Sequence, residues 1–193
     1  AGEVSEGVLI KHMVGREIND VFPKRFHERS EEVVFEVKGW EAKDLKSGRT
    51  VLRDINFTVK KGEIVGFAGL MGSGRTELAR SLFGNPDGYR LAGEMLVKGA
   101  RRSLRHPREA IRAGLAYASE DRKGNGLVLI QDVKQNITLA NLRAISSQGV
   151  VDANAEVKVA NEYRTALNIK TPSVEQVVVN LSGGNQQKVS VAK

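Results

Sequence analysis

The sequence predicts an α/β fold with a mixed sheet, and three observations carry that reading. First, Gly69-Leu-Met-Gly-Ser-Gly-Arg-Thr76 fits the phosphate-loop pattern G-x-x-x-x-G-K-[ST] at every fixed position except one, where Arg75 stands in place of the lysine. The run before it, Glu63-Ile-Val-Gly-Phe-Ala68, is short and apolar and is expected to be a buried parallel strand. The run after it, Thr76-Glu-Leu-Ala-Arg-Ser-Leu-Phe83, has helical spacing and stops at Gly84. Second, two strand-like runs precede that buried strand, so the sheet departs from a plain βαβ start. Third, Leu115-Ala-Tyr-Ala118 is a further apolar strand that delivers Ser119-Glu-Asp-Arg-Lys-Gly124 to its C-terminal edge, where parallel sheets hold ligands.

The loop's composition has a chemical reading. Gly72 and Gly74 allow the backbone to close round a phosphate, with N–H groups directed inward at a helix N-terminus. Thr76 is placed to offer its hydroxyl to magnesium. The alternative is a glycine-rich turn between a strand and a helix, which the flanking strand and helix disfavour.

Length and composition set bounds. At 193 residues the chain holds one domain or slightly more, enough to bury a substantial core. No apolar run approaches the roughly 18 residues of a membrane span, and Ala1-Gly-Glu-Val-Ser-Glu6 has neither the basic start nor the apolar centre of a signal peptide. With no cysteine there is no disulfide framework or thiolate metal site, and His12, His27 and His106 are too scattered for a histidine site. The net charge of +7 speaks first to a solvated basic surface. The densest basic cluster, Arg101-Arg-Ser-Leu-Arg-His-Pro-Arg108, has no interleaved aromatics, so no platform for stacking nucleic-acid bases is visible.

Residues 1–31 read as a tail and a connector: a short apolar stub at Val8-Leu-Ile10 and Met13-Val14 ends at Gly15, and a proline and a dense charge run follow. Val33-Val-Phe-Glu-Val37 and Ile55-Asn-Phe-Thr-Val59 are strands, broken apart by Ser47-Gly48, and Lys60-Lys-Gly62 turns the chain toward the phosphate loop. After the loop helix, Asn85-Pro-Asp-Gly88 is a turn and Gly93-Glu-Met-Leu-Val97 a strand closed by Lys98-Gly99. Pro107 to Ala113 is a short helix with proline in its first turn and Gly114 at its end. Val133 to Arg143 is helical. Asp152 caps a longer helix with Ala153, Val157, Ala160, Tyr163 and Leu167 on one stripe, ended by Thr171-Pro172. Last comes Leu181-Ser-Gly-Gly-Asn-Gln-Gln-Lys188. Ser182 is its expected N-cap, and Gly183 and Gly184 leave open backbone at a helix start, a second anion-binding arrangement.

The two glycine blocks together resemble the ATP-binding cassette family. Leu181, Ser182, Gly183, Gly184, Asn185 and Gln186 look like its signature motif in the Asn-Gln-Gln variant of bacterial sugar importers. Gly69, Gly72, Ser73, Gly74, Arg75, Thr76 and Glu77 look like the degenerate Walker A loop of the second cassette in the tandem ATP-binding subunits for monosaccharides. Ser119-Glu-Asp-Arg-Lys-Gly-Asn-Gly-Leu127 is similar to the block that replaces the Q-loop there, with Glu120 at the glutamine position, and Met13-Val-Gly-Arg16 resembles the junction between the cassettes. The stretch from Gly126 to Ile137 resembles the xylose or multiple-sugar branch.

The resemblance implies a nucleotide-binding domain of the phosphate-loop NTPase class, with a mixed sheet, an antiparallel β subdomain and a helical subdomain over about 124–188. It implies ATP and Mg2+ as cofactors, with Thr76 on the metal. Residues 1–31 become the end of a preceding cassette and a linker, and 32–193 a second cassette, incomplete at its C-terminus because Walker B and the switch histidine do not follow. No catalytic residue is therefore expected in this segment, and it is expected to be inactive alone. Two cassettes stack head to tail, so Ser182, Gly183 and Gly184 are expected to complete the ATP site of the preceding cassette. Implied partners are that cassette, membrane permease subunits and, indirectly, a periplasmic sugar-binding protein, but no nucleic acid. The implied location is the cytoplasmic face of the bacterial inner membrane.

The departures have physical consequences. Arginine is longer, planar and forked, so Arg75 does not replace the lysine like for like. Binding through the backbone is expected to persist, while hydrolysis at this loop is expected to be slow or absent, because phosphoryl transfer depends on positioned charge. Glu120 brings a carboxylate where a neutral glutamine is usual, unfavourable beside a phosphate unless a metal intervenes. Trp40 is a candidate adenine-stacking residue by type, although the family's position falls nearer Asp44 or Leu45, and it reads equally as core. Two rival functions stay open here: a non-transport ATPase of the same superfamily acting on nucleic acid or ribosomes, and a non-hydrolysing nucleotide-binding regulatory module.

Overall fold

A computed structural model of the chain describes residues 30–193. The expected stub, the linker and the Met13–Arg16 junction lie outside the described residues. The remainder divides into two compact units, the first containing 30–78 and 88–103, the second 79–87 and 104–193.

The first unit is built on one antiparallel sheet. Strand β1 (Val33–Lys43) lies between β2 (Thr50–Lys60) and β3 (Arg90–Val97), and β4 (Ala100–Arg101) pairs with the outer side of β3. Val37, Trp40, Ala42, Leu52, Met95 and Val97 are buried, so alternate residues of the strands form its core and Trp40 belongs to that core. The β1–β3 register slips between Lys38 and Glu41. Gly39 stands there at φ +54, and a Cβ on the facing Gly93 would lie 2.4 Å from the Gly39 carbonyl oxygen, so the bulge needs glycine at position 93. The β1–β2 turn is held by Asp44, whose carboxylate accepts from the Lys46 N–H and the Ser47 hydroxyl. The Ser47 hydroxyl first, then the Lys46 N–H, holds that carboxyl below its usual range.

Helix α1 (Arg75–Leu82) follows the glycine loop as expected, and the division between the units falls within it. The second unit continues with α2 (Pro107–Arg112), a π-helical turn (Arg122–Gly126), α3 (Val133–Thr138), a 3-10 segment (Leu139–Ile145), a β5–β6 hairpin (Ser146–Ser147, Val150–Val151), α4 (Ala153–Ala166), a short 3-10 turn (Val178–Asn180) and α5 (Gly183–Ala192). Its core joins Leu127, Val133, Ile137, Ala160, Ile169, Val174, Val178 and Val189. Asp132 and Gln135 cap α3 reciprocally, and Asp152 caps α4 through the N–H groups of Asn154 and Ala155.

Several expectations are corrected. Residues 63–68 and 115–118 form no strand among the described residues, and Ile64 is 96% exposed rather than buried. A central strand is stabilised by neighbours on both edges, and apolar runs without them have nothing to bond their backbone to. Among the described residues the four-stranded sheet and the two-stranded hairpin are both paired antiparallel. The helix expected over 133–143 breaks at Asn141 (φ −137°, ψ 47°) and tightens to 3-10 beyond Thr138. Helix α4 ends at Ala166, not at Thr171-Pro172, because Asn168 turns left-handed (φ +49°). On α4 the inward face holds Ala160 and Glu156, while Ala153 and Tyr163 are exposed. The buried Glu156 carboxylate accepts from Thr138 Oγ1 at 2.9 Å, so a polar pair sits where the stripe predicted only apolar contact.

Candidate functional site

The phosphate loop folds as its glycines require. Gly72 (φ +79°) and Gly74 (φ +90°) occupy the left-handed region. A Cβ on Gly74 would press on Leu52 Cδ2 at 3.0 Å, and one on Gly69 would lie 2.4 Å from Ser73 Oγ. The loop is therefore closed on itself, with the Ser73 hydroxyl over Gly69, and it leads directly into the first turn of α1, where the Leu78 N–H donates to the Gly74 carbonyl at 2.8 Å. Glu77 stands in that first turn. Thr76 and Glu77 are half-buried, while Arg75 is exposed. The apolar residues Leu70 and Met71 of the loop are also exposed.

The second glycine block opens α5. Ser182 occupies the N-cap position in extended conformation, but its hydroxyl caps no helix N–H. It accepts instead from Asn185 Nδ2 at 3.0 Å, and Asn185 Oδ1 accepts from the Lys170 N–H at 2.9 Å. Gly183 and Gly184 are exposed, as open backbone requires. Gln186 is buried. Its Nε2 donates to the Val178 carbonyl at 3.1 Å and its Oε1 accepts from Arg122 Nε at 3.3 Å.

The block around Glu120 lies in the same unit. Tyr117 donates its hydroxyl to Glu120 Oε2 at 3.2 Å. Burial above all, helped by the neighbouring Glu120 charge, pushes the Tyr117 phenol above its ordinary range. Asp121 closes the π-helical turn by accepting from the Gly124 N–H at 2.9 Å. A cleft of about 260 Å3 lies between this block and α5, lined by Ser119, Glu120, Arg122, Gln187 and Ser190. A larger, mostly apolar cavity of about 530 Å3 is lined by Phe83, Ile111, Leu115, Tyr117 and Lys193, and burial holds the Lys193 ammonium below the usual lysine range. Among the described residues no group of three or more His, Cys, Asp or Glu is placed to hold a metal ion, and no helix is long and apolar enough to cross a membrane.

Two glycine-built helix starts stand in one chain, the second with the Arg122–Gly126 turn packed against it. The family model for ABC transporters matches residues 52–193. The chain belongs to the ABC transporter family. Its fold is that of an ABC nucleotide-binding domain. An L-arabinose transport ATP-binding protein of Geobacillus stearothermophilus is 48% identical over 192 residues, which is 99% of this chain and 37% of that protein. A xylose import ATP-binding protein of Thermoanaerobacter pseudethanolicus is 46% identical over 98% of this chain and 37% of its own length. A ribose import ATP-binding protein of Rubrobacter xylanophilus is 47% identical over 99% of this chain and 36% of its own length. The ABC chain thus spans little more than a third of these curated relatives. Identity is nearly equal across the three sugar names, so it does not single out the xylose branch. A dimeric, post-hydrolysis structure of an ATP-binding cassette bound to ADP and Pi aligns with a TM-score of 0.63 at 20% identity, covering 82% of this chain and 67% of that one. It supports the fold alone.

Among the residues that carry the site's geometry, Arg122 and Lys170 were not singled out from sequence. Arg122 stands two residues from Glu120, but nothing local reveals that it reaches Gln186, 64 residues away. Asn185 was carried only as part of the motif, although its spacing of three from Ser182 places the two within reach on one helix turn.

Proposed function

We propose that this chain is part of the ATP-binding subunit of a bacterial monosaccharide importer, coupling ATP binding and hydrolysis to sugar uptake. The observation that carries the reading is the pairing, in one chain, of a phosphate loop bearing Arg75 with the Ser182–Gln186 signature. The sugar-import names of the relatives support the same substrate class.

In this reading residues 69–77 hold the phosphates of ATP, and the geometry suits that task. The positive φ of Gly72 and Gly74 bends the backbone into the start of α1, a conformation that suits an anion. Thr76 is the residue placed to contact Mg2+, and that ion, when bound, neutralises developing phosphate charge. Arg75 replaces a compact ammonium with a broad guanidinium, so the loop binds nucleotide and turns it over slowly or not at all. The exposed backbone of Ser182, Gly183 and Gly184 completes the nucleotide site of a preceding cassette. Residues 1–31 are the end of that cassette and a linker, and 32–193 are the second one. The partners are membrane permease subunits and, through them, a periplasmic sugar-binding protein, with the subunit at the cytoplasmic face of the membrane.

The test is Ser182→Arg in the full-length subunit. A bulky cation at that position blocks the approach of a phosphate held by the other cassette, and ATP turnover is expected to fall by at least about tenfold, or about 1.4 kcal/mol of barrier. Turnover equal to wild type would sink the shared-site reading. A second reading, a nucleotide-binding regulatory module without hydrolysis, is favoured for this segment by Arg75. Turnover by the intact subunit that survives inactivation of the other cassette would count against it.

A further inference from the structure

The π-helical turn 122–126 lies along α5 and touches it at successive levels. At the start of α5, Arg122 Nη2 is 3.1 Å from where a Cβ on Gly183 would stand, and Arg122 Nε donates to the buried Gln186 Oε1 at 3.3 Å. Further along, a Cβ on Gly126 would meet Ser190 Oγ at 2.9 Å, so glycine at 126 is what allows this approach. At the end, Lys193 Nζ donates to the Gly126 carbonyl at 3.0 Å. π-helical turns recur at functional sites because they re-aim side chains that a regular helix would leave facing elsewhere. Here the turn starts two residues after Glu120 and aims the Arg122 guanidinium at the opening of α5.

We infer that Arg122 is a positioning residue for the signature. It braces Gly183 from outside and Gln186 from within, and so ties the placement of Ser182, Gly183 and Gly184 to the placement of the Glu120 block. Gln186 relays the brace to the core, because its other end is bonded to the Val178 carbonyl. A change in the Glu120 block thereby changes how the signature backbone is presented. The inference rests on the reading that the signature completes an ATP site.

The experiment uses the full-length subunit and reads kcat and KM for ATP, binding of a fluorescent ATP analogue, and the melting temperature. Arg122→Ala is expected to lower kcat at least about tenfold while KM and analogue affinity change less than about twofold, the pattern of an interaction that matters in the transition state rather than in binding. Arg122→Lys keeps a cation and a donor for Gln186 and is expected to recover most of kcat. Gln186→Ala is expected to reproduce the loss, and the double variant to be no slower than the worse single one, since both act through one contact. Wild-type kcat in Arg122→Ala overturns the inference. So does a loss of kcat, affinity and melting temperature together that Arg122→Lys shares, which marks a merely structural role. Ser182→Arg is run in parallel. If it leaves turnover intact, the reading of the signature falls; if it stops turnover while Arg122→Ala does not, only the role of Arg122 falls.

Discussion

The hydroxyl of Ser182 accepts its hydrogen bond from Asn185 Nδ2 at 3.0 Å rather than from a backbone N–H of the helix it precedes. The serine is thus oriented by its own motif, and the helix N–H groups are left for another acceptor. Because Asn185 also accepts from the Lys170 N–H, one amide joins the signature to the segment after α4. The two bonds can be separated. Asn185→Ala removes both and is expected to cost about 1 kcal/mol in urea unfolding. Asn185→Asp keeps the acceptor for Lys170 but loses the donor to Ser182, so it should retain most of that stability while still slowing ATP turnover of the full-length subunit. An Asp variant with full turnover would show that the serine needs no such orientation.

The phosphate loop is tested by calorimetry with Mg-ATP. Thr76→Ala is expected to weaken binding by roughly tenfold in the presence of Mg2+ and by much less without it, since the change removes the hydroxyl offered to the metal. In the full-length subunit, Arg75→Lys restores the compact ammonium and is expected to raise turnover at this loop while affinity changes little. Equal losses with and without Mg2+ in Thr76→Ala would place the hydroxyl's role elsewhere.

Gly84, just beyond α1, sits at φ +78°, and a Cβ there would lie 2.2 Å from the His106 carbonyl carbon and 2.4 Å from Pro107 N. Both are backbone atoms that cannot swing aside. Gly84→Ala is expected to destabilise by at least about 2 kcal/mol, combining a left-handed alanine with a backbone clash. The urea midpoint reads this directly. By contrast Gly149, at φ +84° with no atom within 4 Å of a built Cβ, should tolerate alanine at about 1 kcal/mol of strain alone.

Lys134 donates to Asp132 Oδ2 at 2.5 Å, and that bond first, with the charge of Asp132, holds the lysine above its ordinary range. A raised folded-state value contributes stability that is fully present below the unfolded lysine value of about 10.4 and is lost as pH rises through the folded one. Stability should therefore decline on the alkaline side of about pH 10.4. Tyr117, held up by burial, loses stability in the same direction, and Lys193, held down by burial, opposes it. Comparing urea midpoints of wild type and Lys134→Gln from neutral to alkaline pH isolates the lysine: the gap between them should close as pH rises. A constant gap would exclude the ion pair as its source.

Much of the site was legible because it is local. Gly72 and Gly74 are spaced to bend a loop into a helix start, and both adopt the positive φ that only glycine takes readily. Asp152 caps α4 as its side-chain chemistry suggests, since the N–H groups it satisfies lie within three residues. Asp132 and Gln135 form a capping box by the same rule, although the sequence reading passed over it. The β5–β6 hairpin was also missed. Its turn at Gln148 and Gly149 carries positive φ at both residues, and glutamine is a weak signal for that conformation where asparagine is a strong one.

What the sequence by itself determined is therefore the short-range chemistry: the glycine loop and the helix behind it, the Asp152 cap, and the open backbone of Gly183 and Gly184 at a helix start. Each depends on residues a few positions apart, where propensity and side-chain reach decide the outcome. Only the tertiary structure decided that residues 63–68 stay outside the sheet, that Glu156 is buried against Thr138, and that Arg122 reaches Gln186. Pairing, burial of a polar group and a brace across 64 residues depend on which distant segment arrives to supply a hydrogen-bond partner. An apolar run carries the propensity for a strand, but its backbone is satisfied only by a neighbour that the run itself does not encode.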